Sequence, residues 1–250
     1  MWVSWHDCVG STNDVAAALA AEGRVSPFVV AARRQTGGRG RTGRRWSSPE
    51  GGAWFTLAWR PPEDWRGWDL ASLAVGVAVR RVLLELLGAE TAVAIKWPND
   101  LLINGRKVAG VLCERPWAGR DPEQGGDWLI AGVGVNVCVD PTSLGEGLRI
   151  PAVSLDTYVD RPDVCGVVER CAERMVDVLR LLGGSAGSEC VLKDVVSSLA
   201  WRHQVVRVGE IEGRLEGLDS RGRLMIETRA DGLQTVVAGD VERASLSLCS

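Results

Sequence analysis

Apolar residues fall along this chain in two spacings. Phe28-Val-Val-Ala-Ala32, Ala53-Trp-Phe-Thr-Leu-Ala-Trp59 and the glycine-containing run from Trp128 to Val137 are short and nearly unbroken, the pattern of buried strands. Trp68 to Leu87 is longer and predicts a helix closed by Gly88. Asp163 to Leu182 predicts a second long amphipathic helix, with Gly183-Gly184 as its stop and a linker-like stretch from Gly183 to Ser188. Near the start, Ser11-Thr12-Asn13-Asp14 precedes Val15 to Glu22. Ser11 as N-cap with Asp14 three residues on predicts a capping box opening a short helix. Val93 to Lys96 reads as a short strand. Leu101 to Ile103 and Val108 to Cys113, joined at Asn104-Gly105, read as a hairpin.

After Trp201 the pattern changes. Short strands alternate with turns at Val208-Gly209-Glu210, Asp219-Ser-Arg-Gly222 and Ala230-Asp-Gly232, a spacing that predicts a small β-barrel of ~50 residues. Mixed helices and hairpins followed by an all-β tail give an α+β class in two domains, residues 1–200 and 201–250.

Composition narrows the function classes. With 46% hydrophobic and 24% charged residues the chain is globular. A net charge of −3 argues against a general polyanion binder, so no DNA partner is expected. No apolar run approaches the ~20 residues of a membrane helix, since Leu70 to Leu87 contains Arg80, Arg81 and Glu85. The seven cysteines are odd in number and include no C-x-x-C pair, and the first residues lack the layout of a signal peptide. Reduced thiols in a cytoplasm are expected. His6 and His203 lie far from any cysteine cluster, which argues against zinc.

Three segments carry candidate chemistry. The first, Gln35-Thr-Gly-Gly-Arg-Gly-Arg-Thr-Gly-Arg-Arg-Trp46, formally contains G-x-G-x-x-G at Gly38, Gly40 and Gly43. It does not open a helix, and Arg44-Arg45 stands where a Walker A loop has Lys-Ser/Thr, so neither nucleotide motif applies. Its glycines free backbone N–H groups to face an anion, and its arginines supply forked donors for phosphate or carboxylate. A solvated basic loop would look the same. The second segment is Lys96-Trp-Pro-Asn99-Asp100 with Lys107-Val-Ala-Gly110. Pro98 fixes a turn after a strand, so Lys96 and Asp100 sit at a strand end and both lysines can face the mouth of one sheet. The third, Gly132-Val-Gly-Val-Asn136, puts two glycines in an apolar strand and predicts that something packs against the backbone there.

Taken in order, Ser11-Thr-Asn13, Gln35 with Gly38-Arg-Gly-Arg41, Lys96 to Asp100, Lys107 to Gly110 and Gly132 to Asn136 closely resemble the biotin protein ligase family, and residues 205–244 resemble its small C-terminal domain. The resemblance implies a mixed sheet flanked by helices, related to lipoate ligases and class II aminoacyl-tRNA synthetases, with a C-terminal SH3-like β-barrel. It implies ATP-dependent, Mg²⁺-supported conversion of biotin to biotinyl-5′-AMP and transfer to a lysine of a biotin carboxyl carrier domain. By similarity, Ser11, Thr12, Asn13, Gln35, Gly38, Arg39, Gly40, Arg41 and Lys107 face biotin. Arg41, Arg44, Trp46, Lys96, Asn99, Asp100 and Asn136 face the nucleotide, and Lys107 and Arg41 carry the catalysis. Asp100 either orients a lysine or water around magnesium or caps its turn; the magnesium ligands stay unassigned. Thr42 stands where some relatives carry another arginine, which leaves the outer loop open. Only ten residues precede Ser11, against the ~60 of a winged helix in repressor-type members, so a ligase without operator binding is expected. The rival readings are a lipoate or other acyl-protein ligase on the same fold, and a nucleic-acid module using Arg33 to Arg45. Monomer and homodimer are both open.

Overall fold

Ala53–Trp59 is β3, buried along its whole length, and the large sheet is built outward from it. A strand buried on both faces needs layers on both sides. The computed structural model describes residues 1–88, 91–117, 126–145 and 149–244. In it the strands β1 (Trp2–Val9), β2 (Phe28–Gln35), β3, β4 (Val93–Lys96), β5 (Asp100–Ile103), β6 (Arg106–Glu114) and β7 (Leu129–Val135) form one seven-stranded sheet in the order β1-β2-β3-β7-β6-β5-β4. The β1–β2 pair is parallel and the other pairs are antiparallel, so the sheet is mixed, as expected.

The two faces are covered unequally. Val29, Ala31, Phe55 and Leu57 point into a large core under α2 (Ala71–Leu87) and α3 (Val164–Leu181). Phe28, Val30, Ala58 and Ile130 point the other way, where the single helix α1 (Thr12–Ala21) covers them with Ala16 and Ala20. This helix reaches β2, β3 and β7. Beyond it the same sheet face carries Thr56, Gly132, Gly134, Gly110 and Asp100, small or polar residues at positions that alternate with the core.

Some expectations need correction. Trp2–Val9 is a strand although its sequence shows no apolar run. It is an edge strand with one neighbour, and its side chains are mostly half-buried or exposed. Glycines and serines make 183–188 look like a linker, yet α4 (Ser185–Ser197) begins within it. Val191 and Val195, four residues apart, are buried where α4 meets α2 and α3, and that packing outweighs weak local propensity. The capping box does not form. The Ser11 side chain makes no cap bond; Gln35 Oε1 accepts from the Thr12 N–H at 2.8 Å instead, and Asp14 pairs with Arg39.

The strands β8 (Val205–Val208), β9 (Ile211–Leu218), β10 (Leu224–Thr228), β11 (Gly232–Val236) and β12 (Glu242–Arg243) form an antiparallel sheet in the order β11-β10-β9-β8-β12. This antiparallel sheet is consistent with the expected SH3-like domain, although among the described residues its two edge strands do not pair with each other and no closed barrel forms. β12 is two residues long, too short to seal an edge. Val206, Leu215, Leu224 and Ile226 of this sheet belong to the same core cluster as Ile95 and Leu73. A buried bond ties the two parts: Trp97 Nε1 donates to the Gly222 carbonyl at 2.9 Å. The six described cysteines are free thiols, Cys249 lies outside the described residues, and no described helix is long and apolar enough to cross a membrane.

Trp97→Phe keeps an apolar ring between the sheets but strands the Gly222 carbonyl. Urea unfolding should show a loss of about 1–3 kcal/mol, the usual cost of orphaning a buried hydrogen-bonding group. An unchanged midpoint would mean that this bond does not hold the C-terminal sheet in place.

Candidate active site

The uncovered part of the sheet face is the floor of a cavity of about 970 Å³. The sequence-predicted residues Ser11, Thr12, Asn13, Gln35, Arg39 and Gly40 line it. So do Arg41, Arg44, Trp46, Lys96, Asn99, Asp100, Lys107 and Asn136. Gly38 does not: a Cβ there would stand 2.4 Å from the Trp46 carbonyl oxygen, so this glycine lets the loop fold on itself behind the cavity wall.

One end of the cavity is a narrow polar slot at the start of α1. Asn13 lies over Gly132, with its Oδ1 2.6 Å from Thr56 Oγ1 and its Nδ2 donating to Glu114 at 2.6 Å. Thr12 Oγ1 is 2.8 Å from the same threonine hydroxyl. Gln35 joins slot and loop: its Oε1 accepts from Thr12, and its Nε2 donates to Ser48 at 2.9 Å. Trp46 lies across Gly110 and Gly134, which face each other on β6 and β7, and packs edge-to-face on Trp54. The indole Nε1 of Trp46 and the Oδ1 of Asn136 are buried without a hydrogen-bond partner. Asn136 Nδ2, by contrast, donates to the Val153 carbonyl.

The other end is cationic. Asp100 faces Lys96 across the turn between β4 and β5, while Lys107 lies one strand further on. The register between β5 and β6 shifts by one residue between Leu101 and Leu102, so that Lys107 pairs with Leu102 and Gly110 with Asp100. Side chains alternate faces along a strand, so this bulge turns Lys107 onto the face that Asp100 occupies; without it Lys107 would point into the core. Lys107 Nζ then sits 2.7 Å from Asp100 Oδ1, and Lys96 Nζ 3.9 Å from Oδ2. Burial pushes the Lys96 ammonium down, and the charge of Asp100 opposes it. Lys107 also lies 4.8 Å above the Trp46 ring, at the junction of slot and cationic end. Asn99 instead serves the turn, its Nδ2 donating to the Val111 carbonyl at 2.8 Å.

Residues 35–48 close the cavity from above as a small hairpin. Trp46 N–H donates to Gly38 O and Gly40 N–H to Arg44 O, with the tip at Thr42 and Gly43, both at positive φ. Arg39 forks onto Asp14 at 2.7 and 2.6 Å, which holds that carboxyl below its ordinary value. Arg44 pairs with Asp240, beyond the five-stranded sheet's last turn. Arg149, Trp201, Asp240 and Glu242 also line the cavity, and sequence reasoning missed them, because no local motif marks them. Eight arginines and lysines line the cavity against three carboxylates, so the site is positive although the chain is negative.

The arrangement suits a ligand with a compact polar head and an anionic tail. Neither histidine lines the cavity. Cys113 on β6 is pushed up to about 12 by burial, so it offers no thiolate. The chemistry available is fixed positive charge and hydrogen-bond donors placed around anions, with Lys107 ion-paired to Asp100.

Residues 5–126 match the biotin/lipoate A/B protein ligase family, and residues 205–243 match the biotin protein ligase C-terminal domain. A biotin–[acetyl-CoA-carboxylase] ligase of Paracoccus denitrificans is 31% identical over 92% of this chain and 96% of its own length. A bifunctional ligase/repressor of Bacillus subtilis is 30% identical over 95% of this chain and 73% of its own length. The biotin protein ligase of Aquifex aeolicus, solved in complex with biotin and ATP, superposes with a TM-score of 0.79 at 28% identity, covering 97% of this chain and 99% of that one.

Gly132→Ala tests the floor of the slot. A Cβ there would stand 2.3 Å from Asn13 Oδ1, so the bond to Thr56 has to break or the helix start has to move. Thermal or urea unfolding should register a loss of about 1–3 kcal/mol. Gly10→Ala, whose Cβ would meet nothing within 4 Å, should stay within about 0.5 kcal/mol of the parent. Equal effects at both positions would refute the close approach.

Proposed function

The chain belongs to the biotin protein ligase family, and on that footing we propose that it activates biotin with ATP and transfers it to a lysine of a biotin carboxyl carrier domain. The observation that carries this reading is the position of Lys107, between the slot formed with Thr12 and Asn13 and the cationic end formed with Lys96, Arg41 and Arg44. A carboxylate and a triphosphate repel each other, and a cation at that junction is what lets them meet.

In this reading biotin's ring lies in the slot beside Ser11, Thr12, Asn13 and Gln35, under Arg39 and Gly40. The triphosphate lies along Arg41, Arg44 and Lys96, with Trp46, Asn99, Asp100 and Asn136 around the nucleotide. A biotin carboxylate oxygen attacks the α-phosphorus, and the bond to the pyrophosphate oxygen breaks. Lys107 neutralises charge on both partners, and Asp100 aims it from 2.7 Å. The acceptor amine then attacks the acyl carbon, forming an amide and releasing AMP. The partnerless Oδ1 of Asn136 and Nε1 of Trp46 are groups that a bound nucleotide can satisfy.

Magnesium fits as a passenger on the triphosphate. No three His, Cys, Asp or Glu side chains converge among the described residues, and Asp100 and Asp240 are already ion-paired. A cation that keeps its waters and binds phosphate oxygens suits such a donor set, and it would screen the triphosphate's charge. We place the catalytic unit at residues 1–200 and the C-terminal unit at 201–250. We assign the activity to the cytoplasm on the free thiols of the six described cysteines.

Incubation of a carrier domain with the protein, ATP, Mg²⁺ and biotin should add one biotinyl group by mass spectrometry. Lipoate incorporation in its place would overturn the choice of acid. Lys107→Met should cut biotin-dependent exchange of labelled pyrophosphate into ATP by about 10²–10³ while biotin binding changes far less. Normal exchange by this variant would remove Lys107 from its assigned role.

A further inference from the structure

The lid over the cavity is held at two separate places. Near its root, Arg39 is gripped by Asp14 of α1, beside the slot. At its tip, Arg44 makes an equally forked contact with Asp240: Nη1 to Oδ2 and Nη2 to Oδ1, each 2.9 Å. Arg41 reaches the neighbouring Gly239 carbonyl at 3.4 Å. Asp240 is braced from a second direction by Arg149 at 3.5 Å, which also holds Glu242 at 2.9 Å. Burial pushes the Asp240 carboxyl up, but its bond to Arg44 and the nearby charges of Arg44 and Lys96 outweigh this and keep it ionised. Both arginines assigned to the phosphates are therefore tethered to the segment that leads into β12, not to their own domain's sheet.

We propose that Asp240 is a positioning residue: through it the C-terminal sheet keeps the lid closed on the biotinyl-adenylate until an acceptor arrives. The proposal rests on the biotin ligase reading above. The tip of the lid is Thr42-Gly43 at positive φ, and Gly40 lies just before it, so the free segment has many conformations to lose. A forked ion pair that already fixes Arg44 supplies that order in advance, and less of it has to come from the ligand. Without the tether the lid opens more often and the adenylate escapes. In solution any lysine can take the acyl group: its amine attacks the acyl carbon, an amide forms, the bond to the AMP oxygen breaks, and the amine proton passes to water.

The test uses the full chain with ATP, Mg²⁺, biotin, a carrier domain and serum albumin as a bystander, and reads the ratio of biotin on albumin to biotin on the carrier. Asp240→Asn should raise that ratio about fivefold, the worth of one partly exposed forked pair. Asp240→Glu should bring it back toward the parent value. Arg221→Gln is the control for mere loosening of the C-terminal sheet from the rest of the fold. Arg221, in the turn between β9 and β10, ties that sheet to Asp69 just ahead of α2, its Nε and Nη2 donating to one carboxylate oxygen at 2.9 and 2.8 Å. Its ratio should match the parent's. An unchanged ratio in Asp240→Asn, an equal rise in Arg221→Gln, or loss of adenylate formation in Asp240→Asn would each overturn the proposal. A parent chain that forms no adenylate would sink the underlying reading, and that is seen before any variant is made.

Discussion

Asn13 Oδ1 comes within 2.3 Å of the place where a Cβ on Gly132 would stand, and Trp46 Nε1 within 2.6 Å of the place for one on Gly134. Gly110, opposite Gly134 on β6, lies under the same indole. Two central strands are thus bare at these three positions of one face while remaining apolar and buried on the other. Everything above the sheet depends on that bareness. It lets the start of α1 descend onto the backbone, lets Trp46 lie flat over the next step, and leaves the rest of the face as a cavity floor. Side chains at these positions would convert the floor into a second core and leave no room for a ligand.

Charge is organised around the same floor. A carboxylate between two lysines holds them close together on one face, which two bare ammonium groups would resist. The strand bulge before Leu102 makes this arrangement possible, because it changes which face Lys107 occupies. Above the floor, the arginines of the lid are paired with carboxylates from two different parts of the chain, Asp14 and Asp240. The lid is therefore ordered by the chain's own charges, although its glycines and repeated arginines suggest a loop that waits for a ligand.

Much of this was legible in one dimension. The continuous apolar runs at 28–32 and 53–59 and the long helical stretches gave the layers, because burial on both faces leaves no alternation to misread. The glycine pair at 132 and 134 announced a close approach, and the lysines at 96 and 107 announced a shared mouth. Other elements were hidden for physical reasons. Trp2–Val9 has one neighbour and needs little hydrophobicity, while α4 draws its stability from Val191 and Val195 packing rather than from its glycine-rich first turn. The C-terminal strands were recognisable from their turns, but closure of a sheet depends on strand lengths at its edges, which turn spacing does not encode.

The sequence by itself determined the buried strands of the main sheet and its two long helices, though not the edge strand Trp2–Val9 or α4, together with the bare floor and the order of the charged segments, since each of these follows from residue type and local spacing. The family could be identified from those same segments. Tertiary structure alone decided what caps α1, which is Gln35 from 23 positions away rather than Ser11. It alone decided the face of Lys107, which a single bulge reverses. It alone brought Arg149 and Asp240 to the lid, 105 and 196 positions from Arg44 along the chain. These are contacts between charges or hydrogen-bonding groups far apart in sequence. No local propensity selects such partners; they are fixed only when the layers have packed and the remaining polar groups must be paired.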